Sequence, residues 1–151
     1  MKKTFKIIGF GLLSIVIFFI AITAVSMIGS VDKEEVLIPY IKSAMPKLTT
    51  WNISEYKALM SEQAINGATP EQWNLYLKKF SKLGTLESVG TPELQSWKTM
   101  SGIPNGKTTY AVYLVPLVFD TGDAHVELGL QHNKNRTEIN SIRFLSNILI
   151  Q

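Results

Sequence analysis

Hydrophobic positions along the chain follow one spacing after another. From Ile7 to Ile28 they are nearly continuous, about twenty residues without a charge, which as a helix rising about 1.5 Å per residue matches the hydrocarbon core of a bilayer. Between Asp32 and Gly84 they recur at helical spacing, and from Thr85 onward they alternate as in strands.

In the helical stretch, Asp32 and Glu35 form an N-cap and first turn, and Val36, Ile38, Tyr40, Ile41 and Met45 mark a first helix, kinked at Pro39 and ended by Pro46. Ser54-Glu-Tyr-Lys opens a second, short helical segment through about Ala64. Thr69-Pro70-Glu71-Gln72 is the strongest start signal, with a cap, a proline at the first helical position and a glutamine closing a capping box. Trp73, Leu75, Tyr76, Leu77 and Phe80 give that helix its apolar side and Gly84 its stop. Thr85–Val89 then alternates. Thr91–Trp97 admits either another helical turn or a strand bent at proline, and the flanks favour the bent strand. Asn105-Gly106 signals a hairpin, Lys107–Phe119 a long strand, and Asp120–Asp123 the turn that follows it. Ala124, Val126, Leu128 and Leu130 alternate with His125, Glu127, Gly129 and Gln131. His132–Arg136 turns again, and Thr137–Ser146 closes the sheet with a slip in alternation between Ile139 and Ile142.

Helices followed by an antiparallel meander predict an α+β domain over residues 32–151, with the helices packed on one sheet face, behind an N-terminal transmembrane helix in residues 1–31. The residues Phe80-Ser-Lys-Leu-Gly-Thr-Leu-Glu-Ser, then Tyr110–Phe119 with a Gly turn, then Ala-x-Val-x-Leu-x-Leu, carry a resemblance. From Lys33 to the C-terminus the chain resembles the small exported domains of the cystatin-like, or NTF2-like, superfamily. That resemblance implies the fold and no single function, because the superfamily houses enzymes, binding modules and assembly factors. Its closing strands often hold an aromatic after a Gly turn, and Asn133–Arg136 has neither.

The net charge of +3 resides in the leader: Lys2, Lys3 and Lys6 account for it, and from Asp32 onward twelve basic residues balance twelve acidic ones. The basic pI is therefore no argument for nucleic-acid binding, which needs a positive field on the domain itself. A cysteine count of zero excludes disulfides and thiolate metal sites or nucleophiles. Lysines before the apolar run and acids after it place the domain outside the cytoplasm by the positive-inside rule. Ala24-Val25-Ser26 offers a signal-peptidase site, but the run exceeds the roughly 7–15 residues of a cleaved signal, which favours an uncleaved inner-membrane anchor facing the periplasm. Gly9-Phe10 is similar to a prepilin cleavage site, although Ser14 stands where pilins carry a glutamate.

Chemistry is sparse. His125 and His132, seven residues apart on an extended strand, are about 23 Å from each other and cannot share a metal; both read as exposed polar residues. No G-x-S-x-G, phosphate loop, H-E-x-x-H or calcium loop occurs. Asn52-Ile-Ser54 and Asn135-Arg-Thr137 match the glycosylation pattern by chance in a leader of bacterial type. If Phe119 faces Ala124 across the turn, the inner face carries Ala111, Tyr113, Val115, Leu117 and Phe119, with a tyrosine as its one titratable group. The outer face then carries Tyr110, Val112, Leu114, Pro116 and Val118 beside His125 and Glu127, a half-apolar surface suited to a protein partner or a second copy. Trp73, Tyr76, Phe80, Trp97 and Tyr113 are the candidates for a small pocket between helices and sheet, where an enzyme of the superfamily would hold its His or carboxylate. The expectation is a binding module without catalysis, cofactor or metal. N-terminal sequencing of the mature protein checks the leader: an anchor retains Met1, signal peptidase cuts after Ser26, and a prepilin peptidase cuts after Gly9.

Overall fold

In a computed structural model of the protein, which describes residues 32–102 and 106–150, helices come first and a five-stranded antiparallel sheet follows. The Asp32 carboxylate accepts hydrogen bonds from the Glu34 and Glu35 amides, at 2.9 and 3.1 Å. A π-helical turn, Lys33–Leu37, runs directly into α1, Ile38–Leu48. Pro39 lacks an amide and crowds the carbonyl one turn back, so the turn before it is widened. Pro46 does not end the helix as expected. It lies so near the C-terminus that it forfeits a single intrahelical bond, and the Thr49 amide and hydroxyl both close onto the Met45 carbonyl, at 3.0 and 2.9 Å.

The expected helix from Ser54 to Ala64 is two: α2, Ile53–Leu59, capped by Asn52, and α3, Glu62–Ile65, capped by Ser61. Pairing with the sheet breaks it. Met60 forms a parallel bridge with Ile139, and the Ser61 amide donates to the Ile139 carbonyl at 2.9 Å. Helix α4, Pro70–Phe80, has the capping box read from its sequence, Thr69 N–H to Gln72 Oε1 at 2.8 Å and Gln72 N–H to Thr69 Oγ1 at 3.3 Å. A 3₁₀ turn, Ser81–Leu83, leads to Gly84.

The strands are β1, Leu86–Val89; β2, Glu93–Gly102; β3, Gly106–Phe119; β4, Gly122–Asn133; and β5, Arg136–Leu145. Strands β1 and β2 both pair with β3, so together they form one edge strand broken near Pro92, and the bent strand continues well past Trp97. The break lies against Pro116. Gly90 donates to the Pro116 carbonyl at 2.8 Å, and a Cβ at Gly90 would come within 3.0 Å of the proline ring. Asn105 of the expected hairpin turn lies outside the described residues, as does the Ile7–Ile28 run; among the described residues no helix is long and apolar enough to cross a membrane.

The β3–β4 turn is tighter than expected. Phe119 pairs with Gly122, Leu117 with Ala124, Val115 with Val126 and Tyr113 with Leu128, because Asp120 and Thr121 alone make the loop. A shift of two residues preserves the faces, so the inner row is the expected one. Ala111, Tyr113, Val115, Leu117, Phe119, Ala124, Val126, Leu128 and Leu130 are all buried in the core with Leu37 of the π-helical turn and Ile41, Met45 and Leu48 of α1. The β4–β5 turn is likewise shorter, with Asn133 paired to Arg136 around Lys134 at a φ of 55°. The expected slip in β5 is a bulge at Asn140, between Ile139, paired with Leu130, and Ser141, paired with Gly129.

Gly84 has φ 85° and ψ −141°, and a Cβ there would collide with Asp120 Oδ1, the oxygen that accepts the Thr85 amide at 2.8 Å. Gly84→Ala is expected to destabilise the protein by about 2–4 kcal/mol, combining backbone strain with loss of that hydrogen bond. Urea unfolding of the detergent-solubilised chain checks it.

Candidate functional site

Three surfaces gather the side chains that could act. The first lies between the helices and β5. Trp73, Tyr76 and Phe80, on one side of α4, meet Met60, Ile142 and Phe144 around an open groove of about 370 Å³, with Arg143 at its rim. Aromatic contacts continue beneath it: Phe80 to Phe144 at 5.0 Å, Trp51 to Phe144 at 5.4 Å and Trp51 to Phe119 at 6.0 Å between ring centroids. The expected pocket residues are thus brought together only in part. Trp97 stands on the opposite sheet edge, in β2, where the Lys33 ammonium lies 3.7 Å from its ring centroid. Tyr113 is buried under the first helical turn, its hydroxyl donating to the Lys33 carbonyl at 3.3 Å. Helical spacing grouped the α4 aromatics correctly, but Trp97 and Tyr113 depended on the strand register and on where the helices cross.

Trp51 and Phe144 were missed. Trp51 sits outside any periodic run, in the turn after α1, and Phe144 follows the β5 bulge, which moves it onto the inner face. Burial also singles out Tyr56, which is 0% exposed. Its ring packs 5.8 Å from that of Trp73, and its hydroxyl has no hydrogen-bond partner among the described residues. Burial pushes this phenol's pKa up, does the same to Tyr113, and raises Tyr40, whose ring lies near Glu138, to about 12. None of the three is poised for proton transfer near neutral pH.

The second surface is a polar cleft of about 580 Å³ where Lys57 and Glu62 face Gln131, Arg136 and Glu138 across the β5 edge. Glu138 is already engaged, by Arg136 at 2.6 Å and by the Gln131 amide at 2.8 Å, so it serves as part of a satisfied ion cluster.

The third surface is the sheet face away from the helices. The register puts Tyr110, Val112, Leu114 and Val118 in one row of β3, with Leu114 opposite Glu127 and Pro116 opposite His125. Val112 and Leu114 are half-buried and Val118 is 38% exposed. Glu127 pairs with Arg143 at 2.9 Å, and His125 is exposed next to Leu145. Beside them a shallow groove of about 420 Å³ crosses the sheet over Gly129, bounded by Lys98, Tyr110, Val112 and Ser141.

His132 is half-buried, not exposed as expected. It stands in the Leu130 row at the far end of the sheet, with Nδ1 2.8 Å from the Thr137 hydroxyl. It lies seven residues along β4 from His125, and among the described residues no three His, Asp or Glu side chains gather as a metal-binding group. Comparison with family models, curated proteins and solved structures gives no match for this chain.

Because the Tyr56 hydroxyl is unpartnered, Tyr56→Phe is expected to leave stability within about 1 kcal/mol of the parent or to raise it, unlike the usual loss on deleting a buried hydrogen-bonding group. The folded state resists ionising these phenols whereas the unfolded chain ionises near pH 10. The contribution of these phenols to stability is therefore constant up to about pH 10 and is lost above it, so stability falls above about pH 10, less steeply in Tyr56→Phe. Urea titrations at pH 7 and pH 11 test both statements.

Proposed function

We propose that this chain is a bacterial envelope protein, held in the inner membrane by the Ile7–Ile28 helix, whose extracytoplasmic domain of cystatin-like, or NTF2-like, type binds a protein partner or a second copy without catalysis. The observation that carries this reading is the outer sheet face. There Tyr110, Val112, Leu114, Pro116 and Val118 present an apolar row beside the polar row of His125 and Glu127, while the helix side of the sheet is sealed. Apolar rows rimmed by polar groups mark interaction surfaces, and aromatic residues such as Tyr110 supply their anchors. The uncharged apolar run and the lysines before it support the anchor, and helices preceding a meander support the superfamily.

A second reading, a small-ligand binder or enzyme with its pocket between helices and sheet, draws on the aromatic groove of Trp73, Tyr76 and Phe80. That groove is open and Arg143 is the one side chain lining it that is charged at neutral pH, which suits holding an apolar or aromatic group better than moving a proton.

Val112→Asp with Leu114→Lys is expected to weaken capture of the partner from solubilised membranes by at least about tenfold, with the circular dichroism spectrum unchanged. Undiminished capture removes the face from consideration. If Tyr76→Ala abolishes binding where the face variant does not, the groove is the site.

A further inference from the structure

Strand β2 is an open edge. It pairs with β3 on one side, and no other described element donates or accepts a backbone hydrogen bond along it. It also carries three of the large exposed apolar residues, Leu94 at 40%, Trp97 at 41% and Met100 at 55% exposure. Such an edge is a template for another strand.

We infer that two copies of this chain pair antiparallel through β2, about a two-fold axis between Gln95 and Ser96. The charge pattern selects the partner and the register. Around that axis Glu93 of one copy meets Lys98 of the other, twice, and Leu94 meets Trp97, twice. Neither Glu93 nor Lys98 has an ion-pair partner among the described residues. A two-fold at Lys98 itself would set the two lysines against each other, and a two-fold at Trp97 or Thr99 would leave each lysine opposite Ser96 or Met100.

The bulge in β2 makes this register possible. Strands paired about an axis between two consecutive residues would ordinarily oppose positions that point to different faces. Gln95 is an extra residue with no partner on β3, since Leu94 pairs with Tyr113 and Ser96 with Val112. Past it the alternation is reversed. Glu93 and Lys98, opposite Leu114 and Tyr110, both lie on the outer face, and Leu94 and Trp97, opposite Tyr113 and Ala111, both lie on the helix side. The pairing thus joins like faces, brings opposite charges together and covers two exposed apolar side chains per copy. The lysine that guards the edge against other strands matches this chain's own edge.

This pairing goes beyond the sheet-face reading and uses different residues, so either can fail alone. Because the chain has no cysteine, single cysteines report cleanly. Directly opposed residues in an antiparallel ladder have Cα atoms about 4.5–5.5 Å apart, within disulfide reach. Full-length Glu93→Cys and Lys98→Cys chains, carrying different tags and co-expressed, are oxidised in native membranes with copper phenanthroline. The expected result is a strong mixed dimer and little Lys98→Cys homodimer. Glu93→Lys and Lys98→Glu should each weaken self-association roughly tenfold, and the double exchange should restore it. No mixed cross-link, an equally strong Lys98→Cys homodimer, or a cross-link confined to a Val118→Cys control on the sheet face would each overturn the pairing.

Discussion

After α1 the backbone turns into the left-handed region at Trp51, with φ 59°, and drives the indole inward. That conformation costs a bulky residue roughly 1–2 kcal/mol. It is offset by what the ring reaches: Phe80 at the end of α4, Phe119 at the end of β3, Phe144 in β5, and the Gly84 carbonyl, which accepts the indole N–H at 3.2 Å. At about 0.5–1.5 kcal/mol per aromatic pair, the contacts exceed the strain. One side chain thus ties the helical half of the domain to both the middle and the rim of the sheet.

That joint decides which surfaces remain for function. With Trp51 in place and the first helical turn over Tyr113, the helix side of the sheet is a mainly apolar core in which the Tyr113 hydroxyl donates to the Lys33 carbonyl. Among the described residues, open space lies at the margins, in the aromatic groove and the polar cleft beside β5, and on the outer face. Neither the groove nor the outer face gathers an acid, a base and a nucleophile. Both surfaces fit the proposed reading, in which partners are recognised by shape and apolar contact and selected by charge.

Much of the architecture was legible because it rests on periodicity. The α4 capping box, the alternation of β3 and β4, the slip in β5 and the bend near Pro92 are local signals, and each corresponds to a feature of the fold. The departures come where distant contacts overrule local ones. The helix through Ala64 breaks because Met60 and Ser61 bond to Ile139, a residue far along the chain. The β3–β4 hairpin closes two residues tighter than drawn, and the error is harmless to the faces because the strand period is two. The site was less legible. The outer row followed from alternation alone, whereas grouping Trp97 and Tyr113 with Trp73 demanded a knowledge of crossing positions that spacing does not contain. Trp51 lay in a polar turn where nothing local marks a core residue.

The docking of Met60 and Ser61 on Ile139 also bears on how far the sheet can grow. It stoppers the β5 rim at the bulge, so of the two margins of the sheet only the β2 side runs unobstructed. A polymerising sheet needs a free margin on both sides of every subunit. Under the inferred pairing each copy uses up its β2 margin and meets an interrupted β5 rim on the other side, which opposes addition of a third copy and growth into fibrils.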